Sequence, residues 1–229
     1  MTILIGYRDS DMVTIIGDTK STHVDVSNNN ESQSTFDTIH KVFPISENMI
    51  IGIAGLNDLG LGIKTLLHSV FSLKHSLTVV EMIKYVESTC VYAHEMYKKV
   101  NPKKNADLLI MVAAIDSKIN KTYLYELSSQ DSFIPKELTG NMTIQGPESE
   151  KVRNYIYNPS QPHNISNFDD LIKVFSEAIR LVDHEYVSKD TYSFILTYNN
   201  RFGHQAYIRS IDAEGNMKYL DLAGNEIPK

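Results

Sequence analysis

One cysteine, Cys90, is all that 229 residues contain. A single thiol excludes an internal disulfide framework and fits a reducing compartment. Cys90 falls inside an amphipathic helical pattern, which reads as a packed thiol and not as a nucleophile. Long apolar runs are missing too, so no segment approaches the length of a membrane span. The opening residues, Thr2-Ile3-Leu4-Ile5-Gly6 and then Arg8-Asp9, lack the plan of a signal peptide and read as a strand. These absences make a cytoplasmic protein the expectation. Clustered positive charge is also scarce. A net charge of −6 argues against a nucleic-acid partner, because phosphate binding needs grouped Lys and Arg. The runs Lys98-Lys99 and Lys103-Lys104 read as a solvated helix end. Neither GxSxG nor a glycine-rich phosphate loop occurs, and the eight histidines show no metal-ligand spacing. His94-Glu95 and His184-Glu185 each lack the second histidine of a helical zinc motif.

What is present suits one globular domain over residues 1–229, at 42% hydrophobic content. Residues 2–8 and 12–17 are short and rich in β-branched residues, and Asp9-Ser10-Asp11 between them has a turn composition, which predicts a hairpin. Residues 21–38 are polar and read as a loop, with a broken strand around His23 to Val26. Ile39–Ile45 and Met49–Ala54 form a second hairpin, and the latter, apolar on both faces, predicts a strand covered on both sides.

Two helices follow. Leu59, Ile63, Leu66, Leu67, Val70 and Phe71 share one face of the first. Thr78 and Glu81 predict a capping box for the second, which turns Val79, Met82, Ile83, Val86, Cys90, Ala93 and Tyr97 inward. Strands are expected at Leu108–Ile115, Thr122–Leu127 and Met142–Gln145. A third helix is expected over Glu148–Tyr157 and a fourth from Ser166-Asn167. Strands at Ser193–Tyr198, Gln205–Ile211 and Met217–Leu222 close the chain. Paired helices between antiparallel strand blocks exclude alternating βαβ and predict an α+β protein with stacked sheets and helices outside.

The chemistry-bearing positions sit at the ends of these strands: Thr2, Gly17-Asp18-Thr19, Lys41-Val42-Phe43 and Ala54-Gly55. A threonine exposed by loss of Met1 would carry an amine and a hydroxyl on one residue, and the amine can activate the hydroxyl. An unperturbed α-amine has a pKa of about 7.7–8.0, so part of it is free base near neutrality. The spacings from Thr2 to Asp18 and from Lys41 to Gly55 match those of the proteasome β-subunits and their bacterial relatives, the N-terminal-nucleophile (Ntn) hydrolases. The chain resembles that family in element order over nearly its whole length, and residue by residue mainly in the first 60 positions.

The resemblance implies a four-layer αββα sandwich, two stacked antiparallel sheets flanked by helix pairs. It implies a threonine-type hydrolase, a peptidase working through an acyl-enzyme on Thr2. Lys41 would favour the alkoxide, Asp18 would hold Lys41, and the Gly55 N–H would face the oxyanion. Ser21 and Thr22 would bind a peptide backbone as an added strand, and Ile53 would line the pocket for the side chain before the cut bond. No metal or organic cofactor is implied. Peptide or protein substrates, a ring or smaller homo-oligomer and an unfolding ATPase are the implied partners.

The family's Asp-x-x-Ser pair is met literally by Asp190-Thr191-Tyr192-Ser193, while Glu185-Tyr186-Val187-Ser188 has the same spacing nearer the helix end. Two departures stand out. Pro147 follows Gly146 where the family carries a hydroxyl, with Ser149 two residues on, and a segment is inserted between Asp18 and Lys41. They keep two alternatives open: a non-catalytic assembly subunit, or a transferase or ligase using the same nucleophile.

Overall fold

The chain's first reversal is built by Asp9, whose carboxylate accepts the Asp11 and Met12 N–H groups at 3.2 and 2.9 Å. That turn sets β1 (Leu4–Arg8) antiparallel to β2 (Met12–Asp18), with Leu4 opposite Gly17. The computed structural model describes residues 2–25, 32–36, 39–73, 77–160 and 162–228, with backbone alone at 21–25 and 32–36. The polar stretch after β2 carries a strand over most of the expected His23–Val26 segment, and a second strand where the sequence predicts loop. β3 (Ser21–Asp25) and β4 (Ser32–Phe36) pair as a ribbon, with Ser21 opposite Phe36. Val26, part of the expected broken strand, lies outside the described residues.

A hairpin of β5 (Val42–Ser46) and β6 (Met49–Gly55) leads into α1 (Asn57–Leu73) and α2 (Val79–Val100). Next come β7 (Leu108–Asp116), β8 (Lys121–Ser128), β9 (Lys136–Glu137) and β10 (Met142–Gln145). Helices α3 (Ser149–Ile156) and α4 (Phe168–Arg180) precede β11 (Thr191–Asn199), β12 (Gly203–Ile211), β13 (Met217–Leu220) and β14 (Glu226–Ile227). The fold is α+β. Among the described residues, four α-helices accompany a seven-stranded antiparallel sheet (β10-β1-β2-β11-β12-β13-β14), a five-stranded one (β5-β6-β7-β8-β9) and the β3–β4 ribbon.

Three apolar cores hold these elements in layers. Ile51, Ile63, Leu67, Val86 and Val112 join α1 and α2 to the five-stranded sheet. Leu4, Ile15, Ile50, Met111 and Phe194 fill the space between the two sheets. Ile3, Ile16, Phe175, Ile179 and Ile195 join the seven-stranded sheet to α3 and α4. Successive strand residues point to opposite faces. Leu4 therefore goes inward while Ile3 faces the helices, and Ile50 and Ile51 divide in the same way. β6 and β7 are covered on both sides, as their unbroken apolar runs predict.

The helix faces follow the periodicity with one exception. Leu66 sits at the flank of the Leu59–Ile63–Leu67 stripe and is 40% exposed, so it leaves the expected buried set. Cys90 is fully buried, and burial pushes its thiol pKa up to about 12, which suppresses the nucleophilic thiolate. The capping box of α2 forms: the Glu81 N–H donates to the Thr78 hydroxyl at 3.3 Å, and the Thr78 N–H to the Glu81 carboxylate at 2.8 Å. Thr78→Ala should cost about 1 kcal/mol. A scan would then show a midpoint lower by roughly 2–4 °C for a domain of this size. An unchanged midpoint would mean that packing alone sets where α2 begins. Among the described residues no helix is long and apolar enough to cross a membrane.

Candidate functional site

Strand direction gathers the candidate residues at one end of both sheets. The start of β1, the end of β2 and the start of β11 meet where Leu4 opposes Gly17 and Thr191 opposes Asp18. Below them, the end of β6 meets the start of β7, with Gly55 opposite Leu108. Ile53 donates its N–H to the Lys41 carbonyl at 2.8 Å. Along a strand, alternate amides share a side, so the Gly55 N–H lies on the β5 side of β6, beyond the Lys41 position. Gly55 has φ +113°, and an added Cβ would lie 2.2 Å from the Asp107 carbonyl oxygen. Glycine is needed there for both reasons.

Asp18 is the hub. Its carboxylate is fully buried and accepts four hydrogen bonds. Oδ1 takes the Ile3 N–H at 2.9 Å. Oδ2 takes Lys41 Nζ at 2.9 Å, the Lys20 N–H at 3.1 Å and the Ser188 N–H at 3.3 Å. Lys41 is itself buried at 6% exposure. Burial lowers its pKa, and the Asp18 charge and hydrogen bond work against that fall. Asp18 also donates its own N–H to the Ile3 carbonyl at 3.3 Å. One carboxylate thus fixes the cation and the residue next to Thr2 together.

Thr2 is 7% exposed and opens onto a cavity of about 420 Å³ that it shares with Ala54, Gly55, Gln145, Gly146 and Pro147. Asp107 is the one charged side chain on its wall among the described residues. Gly146 has φ +126° and passes so close that a Cβ would sit 2.4 Å from the Thr2 carbonyl oxygen. Thr2 and Gly55 therefore line one cavity, and Asp18 links Lys41 to Ile3, the residue beside Thr2.

Three other expected residues lie elsewhere. Ile53 is buried against Gly60 of α1 in the helix-side core, and it does not line the Thr2 cavity. Ser193 donates to the Arg209 carbonyl at 3.3 Å. It belongs to the same face of β11 as Thr191, whose hydroxyl meets Ser176 of α4 at 2.7 Å. Asp190 gives its carbonyl to the Thr19 N–H and its own N–H to the Ser188 hydroxyl. Of the two serine spacings, it is Ser188 that reaches Asp18. The loop carrying it is anchored by Lys189, whose ammonium caps the Arg180 and Val182 carbonyls at the end of α4. Glu185, the partner in that spacing, is exposed. Ser21 and Thr22 lie on β3, and their side chains are outside the described residues, as is Met1.

Beside the site, the His40 ring stacks on Tyr192 with centroids 3.9 Å apart, a contact the sequence does not signal. Among the described residues no group of three or more His, Cys, Asp or Glu side chains is placed to hold a metal ion. No protein-family model matches the chain, and no curated protein matches it in sequence.

Proposed function

We propose that the chain is an N-terminal threonine hydrolase of the Ntn class, a peptidase that cleaves amide bonds through Thr2 once Met1 is removed. The observation that carries this reading is the buried Asp18–Lys41 pair, hydrogen-bonded to the residue beside Thr2 at the end of an open cavity. Burying an ion pair is a poor way to gain stability, because desolvation offsets much of the attraction. A buried lysine pushed below its ordinary range, tied through a carboxylate to the neighbour of a cavity-lining residue, is instead a mark of functional sites.

The chemistry follows from the residues. The Thr2 amine takes the hydroxyl proton as the oxygen attacks the substrate carbonyl carbon. The Lys41 cation favours the developing alkoxide, and the Gly55 N–H supports the oxyanion. The protonated amine then gives its proton to the leaving nitrogen, and water resolves the ester. The same reading brings a homo-oligomer, a ring among its forms, and an ATPase partner, in the reducing cytoplasm that one cysteine fits.

A peptide epoxyketone reacts with the amine and hydroxyl of such a residue together. Intact mass should show loss of Met1 and one added inhibitor, mapped by fragmentation to Thr2. A protein that keeps Met1 and stays unmodified would reject the reading. Pro147, bordering the cavity where the resemblance expects a hydroxyl, favours a second reading, a non-catalytic assembly subunit. That subunit would lack Met1 or keep it, but would take no inhibitor and still oligomerise. Transfer in place of hydrolysis would appear as an amide product when an amine acceptor is added to the peptide.

A further inference from the structure

A second cavity, of about 510 Å³, opens at the other end of β1 and β2, between their turn, the end of α3 and the start of α4. Its walls are aromatic and soft: Tyr7, Tyr157, Phe168 and Phe175, with the thioethers Met12 and Met142. The Tyr7 and Phe175 rings lie 6.0 Å apart at 59°. Asp9 and Asp11 lie in the same lining. Burial raises the Asp9 carboxyl above its ordinary range, and the neighbouring Asp11 charge adds to the rise.

Among the described residues, no Lys or Arg lies within ion-pair distance of either carboxylate. Arg8, next in the chain, is turned away and donates to the Thr122, Leu138 and Gly140 carbonyls. The cavity therefore has a negative pole without an internal counter-charge, set against ring faces that attract cations. A hard divalent metal does not fit this lining. It needs several oxygen ligands, and Asp9 Oδ1 is committed to the Asp11 and Met12 amides. The volume also exceeds what a bare ammonium fills and falls in the range of small-molecule pockets.

We propose that this cavity binds an organic ammonium with an apolar body, an alkyl- or arylalkylamine. Its charge rests at Asp9 and Asp11, and its body lies between Tyr7, Phe168 and Phe175. The site is separate from Thr2 and stands whether or not Thr2 is a nucleophile.

Calorimetric titration of the full chain with 4-phenylbutylammonium, against neutral 4-phenylbutanol, tests it. The ammonium should bind one to one and at least about tenfold tighter than the alcohol. In Asp9→Asn/Asp11→Asn, each asparagine oxygen can still accept the turn amides, and the preference for the charged probe should disappear. Tyr157→Ala changes a side chain that is 63% exposed, so the fold is spared. It should weaken the ammonium about three- to tenfold through the lost ring face. NMR shifts on binding should fall on the Met12 and Met142 methyls. Equal binding of the two probes, no binding, an undiminished preference in the double variant, or shifts centred on Leu108 and Leu109 would each overturn the assignment. Circular dichroism verifies the variants. If the double variant does not fold, the wild-type probe ratio, the methyl shifts and Tyr157→Ala decide.

Discussion

Lys41→Met should lower turnover of a peptide substrate by at least about 100- to 1000-fold and destabilise the fold by about 3–5 kcal/mol. The two losses have separate causes. Methionine keeps the buried stem but removes the cation that would favour the Thr2 alkoxide. It also leaves Asp18 charged and fully buried. Three backbone N–H groups, from Ile3, Lys20 and Ser188, still reach that carboxylate and place the cost toward the lower end. Urea unfolding would read the stability change and a fluorogenic peptide the activity.

Combining Lys41→Met with Asp18→Asn separates the two causes. The neutral pair no longer strands a buried charge, so much of the stability should return while activity stays lost. A Lys41→Met protein as stable and active as the parent would mean that the ion pair contributes to neither.

Gly146→Ala is the second large effect, and it acts through the backbone. At φ +126° an alanine is strained, and its methyl would sit 2.4 Å from the Thr2 carbonyl oxygen and 2.8 Å from Ile3 Cγ1. The first of these is backbone, which has no rotamer to yield. Strain and overpacking together should cost on the order of 3 kcal/mol, or roughly 6–12 °C in midpoint. Because relief comes from moving Thr2, epoxyketone labelling of the folded variant should slow by at least about tenfold, in line with the sensitivity of attack to small misplacements. Parent-like labelling with a lowered midpoint would show that β10 moves instead, and that Thr2 is held by Asp18 alone.

The candidate residues that lie at strand ends with distinctive neighbours are legible in the sequence. Asp18, Lys41 and Gly55 each adjoin an apolar strand, so their positions at the mouth of a sheet are legible. The choice between Ser188 and Ser193 is not. Both occur in an acid-x-x-Ser spacing, and what separates them is where β11 begins. Ser193 lies inside the strand on the face turned to α4, whereas Ser188 is in the loop before it. Ile53 is misplaced for a related reason: β6 is covered on both sides, and its apolar run does not say which face meets α1. β4 and its pairing with β3 are hidden because the pairing is a backbone property and these residues carry no apolar alternation. β9 and β14, two residues each, are too short to leave a period. The cavity at Asp9 is assembled from segments far apart in the chain, which no local pattern reports.

The ribbon's base is stitched shut where Ile39 donates its N–H to the Thr19 carbonyl at 3.0 Å. Asp18 and Lys41 stand just outside that stitch, each held by contacts of its own. Closing a longer flexible loop costs only about 0.6 kcal/mol per doubling of its length. Residues added between Asp25 and Ser32 should therefore leave both the β3–β4 pairing and the geometry of the ion pair in place.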